Sequence, residues 1–345
     1  MFKFGIYYHF IRVAATHGFV QKNRLVAHLF RKFVYQEEYI MDMIKTLTMK
    51  IAQINNTSGI GSIIAEHQNR QGHLSEVFVF NRTIHRQFGG NKLNYWSPLD
   101  RWKFFRKIRE YDVWHYHYPY GSLKRSLENR RGNRTYLKHY HGNDLRGQLD
   151  EDFCLVSTPD LLKYAPNGEW LPIPIDLNEI EEVVQNSDIQ DNKTPIVAHY
   201  PFYKHYSGVD FYSYSLSILQ RDKTCSTKEI LNLSHSDTLR ILAKCDIVVG
   251  KILPEIGWFG KFELEGMALG KPVIAYVSDE LYQHYKPPIY RTKKETFKKD
   301  LQTLIADTSA RESLSSEGLK YVKINHDSQS IVQRVMNYYN KSAGE

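Results

Sequence analysis

From Met49 onward the chain alternates strand-like and helix-like segments, and that alternation restarts after Lys193. Lys50–Asn55 reads as a strand, "NTSGIGS" as a glycine turn, Ser62–Arg70 as a helix ending near Gly72, and Ser75–Phe80 as a second strand. This βαβ opening predicts a parallel sheet, because parallel neighbours need a crossover and the crossover is usually a helix. Further strands are predicted at Asp112–Tyr118, Thr135–His141 and Cys154–Ser157. After the last of these, Thr158 suits an N-cap, Pro159 the first helical position and Asp160 the positive helix end. "WLPIPIDLNEI" brings a strand with two prolines, and the sparsely apolar stretch from Glu179 to Lys193 is the predicted domain boundary. The alternation resumes at Pro195–Pro201, with a helix from about Val209, a strand near "EILNL", a helix over "SDTLRILAKC" capped by Ser236, and the strand Asp246–Gly250. Helices near Lys294–Ile305, Ser309–Val322 and Ser328–Tyr339 close the chain. Two such α/β halves predict two doubly wound sheets whose strand C-termini face a shared crevice, which suits the joining of two substrates.

The chain has 345 residues, enough for about two domains. It has no apolar run near the ~18 residues of a membrane-spanning helix. Cys154, Cys225 and Cys245 are odd in number and widely spaced, which argues against a disulfide framework and for a reducing compartment, so the cytoplasm is expected. The formal net charge of +8 suits an acidic partner, whether nucleic acid, an anionic membrane surface or a phosphorylated substrate, and equally suits a plain solvated surface. Met49 is a second possible start. Residues 1–48 carry aromatics and scattered cations, and three readings stay open: an extension outside the machinery, an interfacial helix pair, or an integral part of the fold.

The richest segment is Gly257–Tyr276, "GWFGKFELEGMALGKPVIAY". It parses as a glycine loop (Gly257–Gly260), a short helix (about Lys261–Leu269), a glycine stop at Gly270 and a buried strand (Val273–Val277). A helix N-terminus behind small residues is an anion site, to which Lys261 adds a formal charge. Glu263 and Glu265 are two apart and project from different sides of the helix, so one is expected to be functional and the other solvated. An acid one turn from a bound phosphate is placed for a neighbouring ribose diol. An acid kept for the helix dipole explains the same spacing.

"GKFELEGMALGKPVIAY" resembles the nucleotide-sugar loop of the family 4 glycosyltransferases. "DVWHYH" is similar to that family's Asp-Val-Val-His-x-His strand, "HYHGNDLRG" to its His-Gly-x-Asp-Leu turn, and "WLPIPIDL" to its Leu-Pro-Asn-x-Val-Asp linker. The resemblance runs through most of the chain from Met49. It implies a GT-B fold, α/β with two Rossmann-like doubly wound domains facing a shared cleft. Residues 49–178 would form the acceptor-side domain, residues 193–327 would bind the nucleotide sugar, and a C-terminal helix (328–340) would cross back. It further implies transfer of a sugar from a nucleoside diphosphate sugar to a glycan, lipid-linked or small-molecule acceptor, with retention and without a bound metal or other cofactor. On this reading Glu265 holds the donor ribose, and Gly257, Trp258, Phe259, Gly260 and Lys261 form the loop near sugar and diphosphate. Lys204 stabilises the leaving diphosphate, and His141 lies near the transferred sugar. Gly59, Gly61, His117 and Asp144 belong to the acceptor-side or phosphate turn. Fixed cations and a helix N-terminus would act most strongly as charge develops on the leaving phosphate oxygens.

Three positions depart from the family pattern. Ser207 stands where a second phosphate-binding lysine is expected, Gly257 where many members carry an acid, and Gly250 where an aspartate is expected. Losing one preorganised charge-stabilising group costs about 2.7–4 kcal/mol in the transition state. Lys204, His205 and Lys261 are candidates to compensate for the missing cation, and Glu255 for the missing acid. A catalytically weakened nucleotide-sugar-binding relative and a nucleotide-sugar epimerase are therefore rival readings. His115, His117, His139 and His141 form a different class of candidate, four imidazoles converging from neighbouring strands on a metal. Arg101, Lys103, Arg106, Lys107 and Arg109, interleaved with Trp102, Phe104 and Phe105, suit a basic amphipathic helix, solvated or on an anionic membrane, better than a nucleic-acid patch. Peripheral contact with the cytoplasmic membrane face, and no nucleic-acid partner, are expected.

Overall fold

Seven short strands, β1 (Lys50–Ile54), β2 (Leu74–Phe80), β3 (Asn91–Leu93), β4 (Val113–His117), β5 (Thr135–Tyr140), β6 (Leu155–Val156) and β7 (Glu169–Trp170), form the first sheet in the order β3-β2-β1-β4-β5-β6-β7. Five more, β8 (Ile196–His199), β9 (Ser226–Glu229), β10 (Ile247–Val249), β11 (Val273–Ala275) and β12 (Tyr290–Arg291), form the second in the order β12-β11-β10-β8-β9. Every pairing is parallel. This computed structural model describes residues 48–80, 88–94, 96–119, 121–187, 194–201 and 211–343. Lys50–Glu345 make up one compact unit, distinct from residues 1–49. The expectations for residues 1–48 concern a segment that lies, but for Thr48, outside the described residues.

Both strand orders reverse once, between β1 and β4 and between β8 and β10. At such reversals the crossover helices leave on opposite faces and open a crevice at the strand carboxyl ends. One face of the first sheet carries Ala52, Ile54, Phe78, Phe80, Trp114 and Tyr116, packed with Phe104 and Ile108 of the Pro98–Ile108 helix and with Leu123 and Leu127 of the Gly121–Glu128 helix. The opposite face carries Gln53, His115, His117 and His139, all fully buried. It is covered by the Ile60–Arg70 helix and by the C-terminal helix Ser328–Ala343, which packs on that helix and on β5. Tyr339 of the C-terminal helix bonds through its hydroxyl to His115 Nδ1 (2.7 Å) and accepts from Gln53 and, at 3.5 Å, from Gln68. Near the start of that helix, Ile175 exchanges backbone hydrogen bonds with His326 and Ser328.

In the second sheet Val197, Ile247, Val249 and Ile274 meet Leu216 and Leu219 of the Phe211–Arg221 helix and Phe297, Leu301 and Leu304 of the Phe297–Ala306 helix. The Lys261–Ala268 helix lies on the other face, backed by the long helix Thr308–Asn325. No helix among the described residues is long and apolar enough to cross a membrane.

Several local expectations are corrected. The helix over "SDTLRILAKC" begins at His235, and its cap is Ser234 rather than Ser236: Ser234 is the extended residue whose Oγ accepts from Asp237 N. The segment after Thr158 is a 3₁₀ helix, Pro159–Tyr164; the Thr158 side chain caps nothing, and Asp160 is held by Arg146. The strand expected near "EILNL" is Ser226–Glu229, upstream, where it pairs with β8. "WLPIPIDL" contributes to the sheet only at Trp170, since Pro172 and Pro174 have no N–H for a ladder. The polar stretch beyond it starts as a helix, Leu177–Gln185, capped by Asp176.

Candidate functional site

The connection from β10 to the Lys261–Ala268 helix is held by one carboxylate. Glu263 is fully buried, and its two oxygens accept from the backbone N–H groups of Lys251 (2.7 Å) and Gly260 (2.9 Å), tying both ends of the loop to the first turn of the helix. The expectation of a solvated acid beside a functional one is therefore corrected, because both glutamates are buried. Glu263 also accounts for Gly250. A Cβ there would collide with Glu263 Cγ and lie 2.8 Å from its Oε1, so the aspartate expected at this strand end has no room.

Glu265 projects the other way. Its Oε1 accepts from His235 Nε2 at 2.6 Å and pairs with Lys261 Nζ at 3.3 Å. His235 also reaches Glu179, Nδ1 to Oε1 at 3.4 Å, from the first turn of the Leu177–Gln185 helix. Burial alone would lower the His235 pKa, but its hydrogen bonds to Glu179 and Glu265 outweigh that and raise it to about 9. Burial would likewise raise the Glu265 carboxyl, and Lys261 and His235 reverse the shift and hold it below the usual range. Three helices thus bring together two carboxylates, an imidazolium and an ammonium.

Lys261 also joins the two halves. Its ammonium donates to the carbonyl of Ser58 (2.9 Å), in the glycine turn after β1, and lies over the Phe88 ring at 5.3 Å. Phe88 meets the His235 ring edge-on. In that turn Gly59 has φ +76°, and a Cβ on it would stand 2.9 Å from the Phe88 ring. Gly61 is pressed against Asn55 O and the His117 ring, where a Cβ would meet the carbonyl at 2.9 Å.

The four histidines do come together. Gln53 Nε2 donates to Gln68 and Tyr339, so Gln53 Oε1 accepts from His117 Nε2–H at 2.8 Å. His117 Nδ1 then accepts from His141 Nε2–H (3.1 Å), His141 Nδ1 from the Ser157 hydroxyl (2.6 Å), and Ser157 Oγ from His139 Nε2–H (3.0 Å). These tautomers follow from the network. His141, partly exposed at the end of the stack, has both ring nitrogens engaged, and its turn is folded by Asp144, whose buried carboxylate accepts from the His141 and Gly142 N–H groups. Burial, opposed by those bonds, raises the Asp144 pKa to about 6. Nitrogens of His115, His117 and His139 lie within 4.8 Å of one another. His115 stacks on His117 and on His139 with interplanar angles of 29° and 13°, and His117 and His139 are tilted by 42°. His115 Nε2 and His139 Nδ1 are buried without a hydrogen-bond partner among the described residues. Burial keeps His139 down to about 3 and His115 well below the ordinary value.

Gly257, φ +74°, borders a cavity of about 750 Å³ lined also by Glu255, Ser278 and Tyr285 from the second half and by Asp160 and Lys163 from the first. Asp160 Oδ2 holds Arg146 at 2.7 Å, and its buried Oδ1 has no hydrogen-bond partner among the described residues. Trp258 and Phe259 are buried and stacked on each other, with Trp258 also against Trp170 and Tyr285. Through Trp170 the Trp258 ring meets the first half.

The structure therefore gathers Gly59, Lys261 and Glu265 at one place, His117, His141 and Asp144 at the adjoining carboxyl ends of β4 and β5, and Gly257 at the cavity. Lys204, and with it His205 and Ser207, lies outside the described residues. His235, Glu179, Phe88 and Lys251 were not anticipated. The Lys251 ammonium stands 2.5 Å from where a Cβ on Gly260 would be, which adds a cation to the loop. Only the tertiary fold brings these residues to the Lys261–Ala268 helix and its loop, so no local pattern in the sequence marks them.

No family model and no curated protein matches this chain. Solved structures do match it. The chain is similar to the sucrose-phosphate synthase of Thermosynechococcus elongatus, with a TM-score of 0.59 and 14% identity over 85% of this chain and 98% of that one. The fold is GT-B. Similar too are HepE of Anabaena in complex with UDP (TM-score 0.57, 15% identity, 85% of this chain and 100% of that one) and a Listeria monocytogenes protein described as a UDP-N-acetylglucosamine 2-epimerase (TM-score 0.54, 10% identity, 84% and 95%). Within this GT-B frame the first sheet is the N-terminal Rossmann-like domain and the second the C-terminal one.

Proposed function

We propose that this chain is a glycosyltransferase that moves a sugar from a nucleoside diphosphate sugar to an acceptor, with retention and without a metal. The observation that carries this reading is the setting of Glu265. It is a buried carboxylate one turn into a helix that starts beside the β8/β10 reversal, with a lysine and a protonated histidine already on one of its oxygens. Such an acid is preorganised to accept from a ribose diol, while the helix N-terminus, Lys261 and Lys251 face the developing charge of a leaving diphosphate. Residues 193–327 would take the donor and residues 49–178 the acceptor, with the transferred sugar in the cleft near His141 and Gly257. Lys204, five residues beyond His199 in the sequence, would supply a further cation. The UDP complex of HepE and the sucrose-phosphate synthase likeness support this choice of ligand.

The Listeria likeness favours one second reading, an epimerase on the same fold, which would change the donor and need no acceptor. Calorimetry with a panel of nucleoside diphosphates and their sugars, chelator present, tests the donor site. Saturable binding is expected, and Glu265→Ala should weaken it by about 1.5–3 kcal/mol, roughly ten- to hundredfold. Unchanged binding in the variant would refute the assignment of Glu265. Product analysis then separates sugar on an acceptor from an altered donor sugar.

A further inference from the structure

The Pro98–Ile108 helix is anchored on its inner side by Phe104 and Ile108 and capped by Ser97, whose Oγ accepts from Asp100 N. Its outer side mixes two kinds of residue. Trp96, Leu99 and Trp102 stand out into solvent, 83%, 57% and 57% exposed. Arg101, Lys103, Arg106, Lys107 and Arg109 surround them, all exposed. Arg106 lies 5.3 Å from the centre of the Trp102 ring, Arg130 covers Phe105, and Arg134 donates to Arg109 O, so cations from beyond the Gly121–Glu128 helix join the same region. From Trp96 to Arg134 the chain carries ten Lys and Arg against four Asp and Glu, which accounts for most of its net charge of +8. Asp100, which accepts from Asn94 N, and Glu110, paired with Lys107, subtract from this charge, and the remaining cations keep the region positive.

Single exposed apolar side chains need no explanation, but two tryptophans and a leucine within a turn or two of one another, ringed by cations, form a patch. Tryptophan favours the headgroup level of a bilayer, leucine gains by leaving water for acyl chain, and lysine and arginine are drawn to anionic lipid. The geometry points to this face as a docking surface for an anionic membrane, with Trp96, Leu99 and Trp102 entering the headgroup boundary and the cations meeting lipid phosphates. A nucleic acid would use the cations but gains little from Leu99, which has no ring to stack on a base. A second copy of this face would repel the first. Residues 1–47, with seven Lys and Arg against three Asp and Glu, have the same sign and do not complement it. The helix follows β3, so its start lies at the carboxyl edge of the sheet, where the Ser58 turn also lies. On the function proposed above, a docked membrane would hold a lipid-anchored acceptor beside the cleft.

The test needs neither donor nor acceptor. The full chain is sedimented with vesicles of phosphatidylcholine alone and of phosphatidylcholine with one third phosphatidylglycerol, with a labelled single-stranded RNA as a parallel probe. Binding to the anionic vesicles only, a blue shift of tryptophan emission, and release by salt are expected. Trp96→Ser with Trp102→Ser should weaken binding on the order of tenfold, and Arg101→Glu and Lys103→Glu by about fivefold for each charge removed. Far-ultraviolet circular dichroism and donor calorimetry should match the parent, since these side chains are exposed and lie outside the proposed donor site. Equal binding to neutral vesicles, no vesicle binding, undiminished binding in both variants, or binding of RNA in preference to vesicles would overturn the proposal.

Discussion

Glu265 already has partners, so its availability to a ligand depends on His235 as much as on its own ionisation. His235 is raised in the fold because its Nδ1–H faces Glu179 and its Nε2–H donates to Glu265, more than offsetting the burial that disfavours the charged form. A histidine raised on folding contributes stability that is present in full below its unfolded value near 6.5, declines above it, and is gone beyond about 9. The thermal midpoint should therefore fall between pH 6.5 and about 9, and His235→Asn should flatten that decline. A variant with the same slope as the parent would mean that another group titrates there. Spacing alone revealed that Glu263 and Glu265 face different ways. It did not reveal that both directions lead inward, because that depends on what covers the helix.

At the scale of the element, the β10 connection behaves as one unit: Gly250, Lys251, Gly260 and Glu263 hold one another. Glu263→Ala leaves two backbone N–H groups without their acceptor, at about 1–3 kcal/mol each where water cannot replace it. Gly250→Ala forces a methyl group against Glu263, at about 1–3 kcal/mol. Because the second cost depends on Glu263, the double variant should lose less stability in urea denaturation than the two singles together. Additive losses would show that the two residues do not press on each other. Long elements with a helical or alternating period, such as Ile60–Arg70 and β4, were legible in the sequence to within a residue or two. The edge strands β3 and β12, of three and two residues, were not, since so short a run has no period to read, and the strand expected in "WLPIPIDLNEI" reaches the sheet only at Trp170.

Across the whole molecule, the C-terminal helix completes the polar core of the first sheet. Tyr339 bonds to His115, 224 residues earlier, and accepts from Gln53 and Gln68. Tyr339→Phe should cost about 1–3 kcal/mol by leaving buried polar groups unpaired, seen as a lower urea midpoint with an unchanged slope, while Tyr338→Phe, at an exposed hydrogen bond to Glu169, should cost little. Equal losses would place the stabilisation elsewhere. The alternation of strands and helices by itself determined that two parallel sheets form and that their ligand edges are loops, because period and turn chemistry are local properties of the chain. Which acid is structural, which histidine guards Glu265, how the four imidazoles share their protons, and where Lys261 reaches were decided only by tertiary structure. Each of these depends on a partner tens or hundreds of residues away, and a buried polar group takes its state from whatever the fold places within hydrogen-bond reach.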